Sequence, residues 1–109
     1  MRVYIAGPYS KGDVILNIRE AIYAADWLLA GGHVPFVPHL TGFWHAIAPK
    51  PYESWLAYDM EWLKVCDAVL RLPGESSGAD KEVAEARRLG VPVFESVPEL
   101  FAAGDGPAR

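Results

Sequence analysis

Two carboxylates in this chain occupy positions where burial of a charged side chain needs a chemical reason. Glu82 lies on a helix that the sequence predicts over 77–90, with Ser77 as N-cap and Asp80 at the third helical position in a capping-box-like pair. At about 100° per residue, Glu82 shares a packing ridge with Ala79, Ala86 and Leu89. The helix dipole keeps such a carboxylate anionic, which suits a nucleophile, but the dipole alone also favours glutamate there.

Asp59 is the second unexpected carboxylate. It falls near the middle of an apolar arc on a helix predicted over 52–65, formed by Trp55, Leu56, Met60, Trp62 and Leu63. Because an unpaired buried charge is costly, Asp59 must be paired, protonated or facing a cavity. Pairing with Arg19 or His39, or capping of a neighbouring turn, would explain it without any chemical role.

Two inward carboxylates in unlike surroundings are typical of sites that cleave a glycosidic bond. One attacks the anomeric carbon, and the other, with a raised pKa, manages the proton of the leaving group. A carboxylate metal site would need more oxygen ligands or a nearby histidine. His33, His39 and His45 have no ligand-like spacing with either acid, so we expect no metal.

Two polar turns could hold a ligand next to these acids. The turn over 7–13 matches neither GxxxxGK[ST] nor GxGxxG, yet it exposes backbone amides and Tyr9. Ser76 and Ser77, with the free amides of the helix that follows, form a better phosphate pocket. Both serines could equally be plain helix caps, and for Ser77 capping is the favoured interpretation.

A long connection separates the second predicted strand from the Asp59 helix. The stretch 39–51 contains Gly42, Pro49 and Pro51, and we predict it to be irregular and functional because of its length. Its aromatic and polar part, which includes His39 and Trp44, could cover a nucleobase or form a dimer interface. The sequence favours neither interpretation.

The predicted elements alternate between strand and helix. The strands fall at 3–6, 34–37, 68–72 and 91–94, and the helices at 14–30, 52–65, 77–90 and after a capping box at Ser96. The 14–30 helix has an apolar stripe of Val14, Ile18, Ala21, Ile22, Ala25, Leu28 and Leu29. This order predicts one α/β domain, a Rossmann-like or flavodoxin-like sandwich with four to five parallel strands and helices on both faces. Ligands of such sheets bind beyond the carboxyl ends of the strands.

Composition limits the function classes. With 109 residues the chain suits one domain over 1–103, with 104–109 as a flexible tail. A net charge of −4 and a pI near 5.2 argue against nucleic-acid polymers and anionic membranes as partners. The single Cys66 excludes a disulfide framework. No stretch has the length of a membrane span or of a signal peptide's apolar core, so we expect a cytoplasmic protein.

Three segments together resemble the nucleoside 2-deoxyribosyltransferase-like superfamily, which includes the 2'-deoxynucleoside 5'-monophosphate N-glycosidases. They are YIAGPY at 4–9, YDMEWLKVCDAV at 58–69 and SGADKEVAEA at 77–86, and their order and spacing cover most of the chain up to about residue 95. The hydrolases' Gly-rich first loop is replaced here by a Pro-Tyr-Ser-Lys sequence.

The resemblance implies roles for individual residues. Glu82 matches the nucleophile that attacks C1', Asp59 the acid that assists departure of the base, and Tyr4 a tyrosine that holds the glutamate. The substrate-binding set that we expect is Gly7, Pro8, Tyr9, Ser76, Ser77, Gly78, His39 and Trp44. The resemblance also implies a homodimer or larger oligomer, in which Ser96 could serve a neighbouring subunit's site, and no cofactor.

The two acids and the resemblance together predict cleavage of the N-glycosidic bond of a nucleoside or nucleoside 5'-monophosphate, with a 2'-deoxyribose as the expected sugar. The reaction would be hydrolysis or base transfer through the Glu82 nucleophile. Two alternatives remain open at this point. The same pocket could belong to a non-catalytic nucleotide sensor, or the chain could be a small structural partner that binds through its aromatic loop.

Overall fold

The computed structural model of the protein describes residues 1–104 and contains a central sheet with helices on both sides. Its strands and helices, in chain order, are β1 (Arg2–Ala6), α1 (Val14–Ala30), β2 (Val34–Phe36), α2 (Thr41–Ile47), α3 (Tyr52–Leu63), β3 (Ala68–Arg71), α4 (Ser77–Arg88), β4 (Val93–Phe94) and α5 (Val97–Gly104). A short 3-10 helix, Pro38–Leu40, precedes α2.

The four strands form one parallel sheet in the order β2-β1-β3-β4. Tyr4 of β1 is in register with Phe36 on one side and Val69 on the other, and Val69 is in register with Val93 of β4. The predicted α/β fold with four parallel strands is confirmed.

Alternation along β1 divides the core into two layers, because successive strand residues point to opposite faces of a sheet. Val3 and Ile5 pack with α1 and α5, in a cluster that includes Ala21, Ala24, Leu28 and Leu100. Tyr4 and Ala6 pack with α3 and α4, in a cluster that includes Leu63, Cys66, Val69, Ala79, Val83 and Ala86. The second layer is the one that carries both predicted catalytic acids.

Helix α1 begins and ends where the sequence predicts. The Asp13 side chain caps it by accepting a hydrogen bond from the Leu16 amide (3.1 Å), and Gly32 follows its end with a positive φ of 88°. The predicted apolar stripe was too wide. Ile22 and Leu29 are exposed, because the sheet covers only the narrow arc centred on Ala21, Ala24 and Leu28.

The prediction of an irregular stretch over 39–51 was wrong. The stretch begins with the 3-10 helix and contains α2, and only residues 48–51 are without regular structure. Gly42 is tolerated inside α2 because its missing side chain leaves room for the hydroxyl of Tyr9. Several other elements are shorter than predicted: β2 ends at 36, α3 at 63, β3 at 71 and α4 at 88, and β4 begins at 93.

The C-terminus is described only in part. Gly104, which we assigned to a flexible tail, is the last residue of α5, and residues 105–109 of that predicted tail lie outside the described residues. Within residues 1–104, no helix is both long enough and apolar enough to cross a membrane.

Candidate active site

The predicted catalytic acids meet at one cavity beyond the carboxyl ends of β1 and β3. The cavity has a volume of about 760 Å³, within the range of small-molecule sites. Its walls are the turn after β1, the 3-10 helix and α2, the inner side of α3 and the start of α4. Asp59 and Glu82 both line it, from α3 and α4 respectively.

Glu82 is buried, with 8% of its surface exposed, in the second turn of α4 between Ala79 and Ala86. These small neighbours leave room for its carboxylate to reach the sheet. There the Tyr4 hydroxyl donates a hydrogen bond to Oε2 of Glu82. Tyr4 is itself fully buried and packs against Phe36, with ring centroids 5.5 Å apart. Leu89, which we predicted on the same ridge, is instead exposed because α4 ends before it.

The surroundings of Glu82 act on its pKa in opposite directions. Burial and, to a lesser extent, the charge of Asp59 raise the pKa, whereas the Tyr4 hydrogen bond and the positive charge of Arg71 lower it. Together they set the pKa of Glu82 at about 7, above the ordinary value of a glutamate. Near neutral pH a substantial fraction of Glu82 is therefore ionised although the side chain is buried. Oε1 is left as the oxygen that Tyr4 does not engage.

Asp59 faces the cavity from α3 and has a buried oxygen, Oδ1, with no hydrogen-bond partner among the described residues. Burial raises the pKa of Asp59 to about 7. The pairings that would have explained this residue structurally are absent in the described chain. Arg19 instead contacts Glu20 (3.1 Å), and His39 contacts the Pro8 carbonyl. The arrangement leaves Asp59 able to carry a proton and direct it into the cavity.

The start of α4 corrects the predicted cap. Ser76, not Ser77, is the N-cap: its backbone is extended, and its Oγ accepts a hydrogen bond from the Ala79 amide (3.1 Å). Asp80 does not complete a capping box but pairs with Arg71 (3.1 Å). The Ser76 hydroxyl can still donate its own hydrogen, and Ser76, Ser77 and Gly78 all line the cavity.

The turn after β1 supplies another wall of the site. Gly7 and Tyr9 line the cavity, whereas Pro8 does not and instead contributes its backbone carbonyl to His39. Asn17 of α1 holds the turn by donating from Nδ2 to the Tyr9 and Lys11 carbonyls, both at 2.8 Å. These two hydrogen bonds fix the loop conformation that presents Tyr9.

His39 and Trp44 have different places in the structure. His39 is 4% exposed and lines the cavity; its Nε2 donates to the Pro8 carbonyl (3.0 Å), and its buried Nδ1 has no partner in the described chain. Burial lowers the pKa of His39, so its ring is neutral at pH 7. Trp44, which we predicted to bind substrate, is not among the lining residues. It packs edge-on against Trp55 and Tyr58, behind the cavity wall.

A family model described as "Domain of unknown function (DUF7768)" matches residues 1–96. The chain belongs to this family. A comparison with curated protein sequences gives no match. Among solved structures, the chain is similar to a 2-deoxyribosyltransferase from the psychrotolerant bacterium Bacillus psychrosaccharolyticus, an enzyme described as a biocatalyst for nucleoside synthesis. The likeness has a TM-score of 0.64 at 21% identity and covers 85% of this chain and 69% of the other. At that identity the likeness establishes a shared fold.

The chain also brings residues to the cavity that the sequence did not single out. Trp55 of α3 donates from Nε1 to Nδ1 of His45 on α2 (2.8 Å), and both residues line the wall that faces Glu82's helix. Lys81 also lines the cavity, with its ammonium 5.7 Å from the centre of the Tyr52 ring. A sequence signal for this wall existed in the tryptophans and tyrosines of 44–58, but their partners depend on how α2 packs on α3.

The described residues contain no group of three or more His, Cys, Asp or Glu side chains that could hold a metal ion. The acids that line the cavity are Asp59, Glu82 and Glu75, and the cations are Lys11, Lys50 and Lys81. Glu75 is exposed and pairs with Lys11 (3.4 Å). The chemistry that this set can perform without further groups is attack by a carboxylate, transfer of a proton and binding of an anion.

Proposed function

We propose that this protein cleaves the N-glycosidic bond of a nucleoside or nucleoside 5'-monophosphate through a covalent glycosyl–Glu82 intermediate. The observation that carries the proposal is the meeting of Glu82 and Asp59 in one cavity, with Tyr4 fixing the first and burial raising the pKa of the second. The fold shared with a 2-deoxyribosyltransferase supports the same substrate class. For this reason we propose a 2'-deoxyribose as the sugar.

In the first step the free Oε1 of ionised Glu82 attacks C1' of the sugar, and the bond from C1' to the base nitrogen breaks. The electron pair of that bond stays with the base, and Asp59 delivers its proton to the departing base. Tyr4 keeps Oε2 engaged, so the carboxylate cannot rotate away from the reacting carbon. The products of this step are the free base, a glycosyl ester on Glu82 and the Asp59 carboxylate.

In the second step an acceptor attacks C1' and releases Glu82. Asp59, now ionised, removes the proton from the acceptor and returns to its starting state. Water as acceptor gives hydrolysis, and a second nucleobase gives transfer. Hydrolysis and transfer use the same side chains. Which reaction occurs therefore depends on whether water or a second base occupies the part of the cavity that the first base has left.

The phosphate of a 5'-monophosphate would have suitable partners at the opposite side. Ser76, Ser77 and Gly78 present hydroxyls and backbone amides at the start of α4, where the helix dipole favours an anion. Lys81 adds a positive charge at the same rim. We place the planar base beside His39 and Tyr9, where it would contact their rings and could accept a hydrogen bond from the Tyr9 hydroxyl.

Chromatography of a mixed panel of nucleosides and 5'-monophosphates, with and without an added free base, tests the proposal. Wild-type protein should release base from at least one member, and Glu82→Ala should lose at least a thousandfold in rate while keeping its fold. Ala84→Gly, a change on the exposed side of the same helix, serves as the control. Tight nucleotide binding without base release over long incubation would instead support a sensor. Wild-type turnover by Glu82→Ala would contradict the mechanism.

A further inference from the structure

The outward face of α1 is more apolar than a helix needs for contact with water alone. Ile15, Tyr23 and Trp27 expose 72%, 57% and 65% of their surfaces, and Leu16 and Ile22 are also exposed. Scattered exposed apolar residues are ordinary, but these lie within one helix and on one side of it. The patch is defined here as the α1 face: Ile15, Leu16, Arg19, Ile22, Tyr23, Asp26 and Trp27.

The helical period arranges this face symmetrically about its two charges. The buried side of α1 is centred on Ala21, Ala24 and Leu28. With a rotation of 100° per residue, Arg19 and Asp26 point in the opposite direction, away from the sheet. Ile15 and Ile22 lie on one side of the line through these two residues. Leu16, Tyr23 and Trp27 lie on the other. Arg19 and Asp26 are therefore the outermost residues of an otherwise apolar strip.

The charges on the α1 face are complementary to themselves under a two-fold rotation. Arg19 and Asp26 stand seven residues apart, about 10 Å along the axis, and are equally distant from the midpoint between Ile22 and Tyr23. When two copies of α1 cross antiparallel at that midpoint, each Arg19 meets the partner's Asp26. A parallel pairing would place Arg19 against the partner's Arg19 and is repulsive.

Both charges are available for such a pairing. Asp26 is exposed and has no ion pair with a described residue. Arg19 makes an exposed contact with Glu20 that water screens strongly, and its guanidinium lies 5.9 Å from the centre of the Tyr23 ring, within the α1 face itself. The face also offers apolar area. An aromatic side chain buries about 150–250 Å² when fully covered, and Tyr23 and Trp27 each expose more than half of their surfaces, beside the exposed Ile15, Leu16 and Ile22.

We propose that the α1 face is the contact surface of a homodimer, in which two copies pack antiparallel with Ile22 and Tyr23 at the two-fold axis and Arg19 paired to the partner's Asp26. An isologous contact of this kind uses the same patch on both copies, as closed symmetry requires. Helix α1 packs on the sheet face opposite to α3 and α4. The dimer therefore leaves the cavity of each copy open.

Charge reversal tests the pairing directly, with molar mass measured by light scattering and sedimentation over about a hundredfold range of concentration. Wild-type protein should dimerise. The variants Arg19→Asp and Asp26→Arg should each have a dimer dissociation constant at least tenfold higher, because each substitution brings like charges together. An equimolar mixture of the two variants should dimerise again, because one copy then carries only acidic and the other only basic side chains at positions 19 and 26. One of the two contacts is the native pair of Asp26 with the partner's Arg19, and the other is the same pair with its charges reversed. The double variant R19D/D26R should also restore the dimer.

Controls separate the interface from general effects of charge and folding. Arg87→Asp makes the same charge change on the exposed side of α4 and should leave dimerisation unchanged. Ile22→Lys, at the centre of the face, should give a monomer without reversing either charge. Circular dichroism confirms that each variant is folded. A monomeric wild type, single variants that dimerise like wild type, or a mixture that stays monomeric would each overturn the proposal.

Discussion

Glu82 combines two properties that are hard to obtain together, burial and ionisation near neutral pH. Burial alone would hold the carboxyl protonated, and the Tyr4 hydroxyl offsets part of that effect with a hydrogen bond to the charged form. Asp59 lacks such a donor, because its buried Oδ1 has no partner in the described chain. The two acids thus share a cavity but differ in their surroundings, which is why we propose attack by Glu82 and proton transfer by Asp59.

Tyr4→Phe should shift the acidic limb of the plot of kcat/KM against pH. The hydrogen bond from Tyr4 lowers the pKa of Glu82, so its loss raises that pKa above about 7 and leaves less nucleophile at neutral pH. We expect kcat/KM at pH 7 to fall at least tenfold and the acidic limb to shift to higher pH. A pH profile of base release measures both. An unchanged limb would show that Tyr4 does not govern the ionisation of Glu82.

Asp59→Asn should stabilise the protein at alkaline pH while it lowers the rate of base release. The folded-state pKa of Asp59, about 7, lies above the unfolded value near 3.8. Its carboxyl therefore costs nothing below that unfolded value and destabilises the fold increasingly as the pH rises from about 4 to about 7. Asparagine stays neutral, so the variant should gain about 2 to 4 kcal/mol at pH 8.

Urea unfolding at pH 4 and pH 8 checks this prediction for Asp59. The gain should appear at pH 8 and vanish at pH 4, and Glu53→Gln, an exposed change on the same helix, should show neither effect. Equal stability of wild type and Asp59→Asn at both pH values would mean that Asp59 is solvated and that its role as the proton donor is wrong.

Residue periodicity predicted the inward direction of Glu82, because small residues one turn to either side mark a packing ridge. It could not predict the contact with Tyr4, which lies 78 positions away in the chain; only the resemblance to a known family suggested it. Trp44 was misplaced for a related reason. An aromatic residue near a site can line the cavity or support the residues that do, and sequence does not separate these cases.

At the level of elements, two short helices set the shape of the site. The start of α4 aims free amides at the cavity, and α2 covers the turn that carries Tyr9. Helix α2 has no buried residues. Its position therefore depends on specific contacts, above all the close approach of Gly42 to the Tyr9 hydroxyl.

Ser76→Ala should destabilise the protein by about 1 kcal/mol, since it removes the side chain that caps α4. Ser77→Ala should change stability by only a few tenths of a kcal/mol, because Ser77 is already inside the helix and alanine is a better helix former. Thermal or urea unfolding of the matched pair distinguishes them. If Ser77→Ala were the more destabilising of the two substitutions, Ser77 and not Ser76 would be the N-cap of α4.

Gly42→Ala should weaken ligand binding at least tenfold with little change in Tm. The added Cβ would collide with the Tyr9 hydroxyl and displace α2 from the turn, whereas the core does not involve α2. The double variant Tyr9→Phe/Gly42→Ala should recover much of the affinity, because it lacks the hydroxyl that the added Cβ would meet. The next atom of the ring, Cζ, lies 3.4 Å from the position of that Cβ, which is an ordinary contact distance. Titration calorimetry measures both variants. Equal affinity of wild type and Gly42→Ala would contradict this role of α2.

Local signals placed some elements well and others poorly. Helix α1 was predicted with its correct ends because Asp13 and the two glycines after Ala30 are unambiguous caps. Adjacent serines at 76 and 77 carry the same capping signal, so the choice between them depends on backbone conformation. Helix α2 was missed because a glycine and two nearby prolines indicate irregular structure, while the contact that holds it is tertiary.

For the molecule as a whole, alternation of strands and helices predicted the parallel sheet and the edge at which a ligand would bind. The cavity itself could not be predicted, since its far wall depends on the packing of α2 against α3 through the hydrogen bond from Trp55 to His45. The proposed α1 dimer leaves both cavities accessible, so we expect the activity per subunit to be independent of dimerisation.

The most direct test of the central proposal is the identification of the covalent intermediate. Wild-type protein mixed with a turned-over substrate, quenched rapidly in acid and digested, should give a peptide containing Glu82 that is heavier by the mass of the glycosyl group. Glu82→Gln should bind the same substrate but give neither the adduct nor free base. Base release by Glu82→Gln at the wild-type rate, or an adduct on a different residue, would contradict the account.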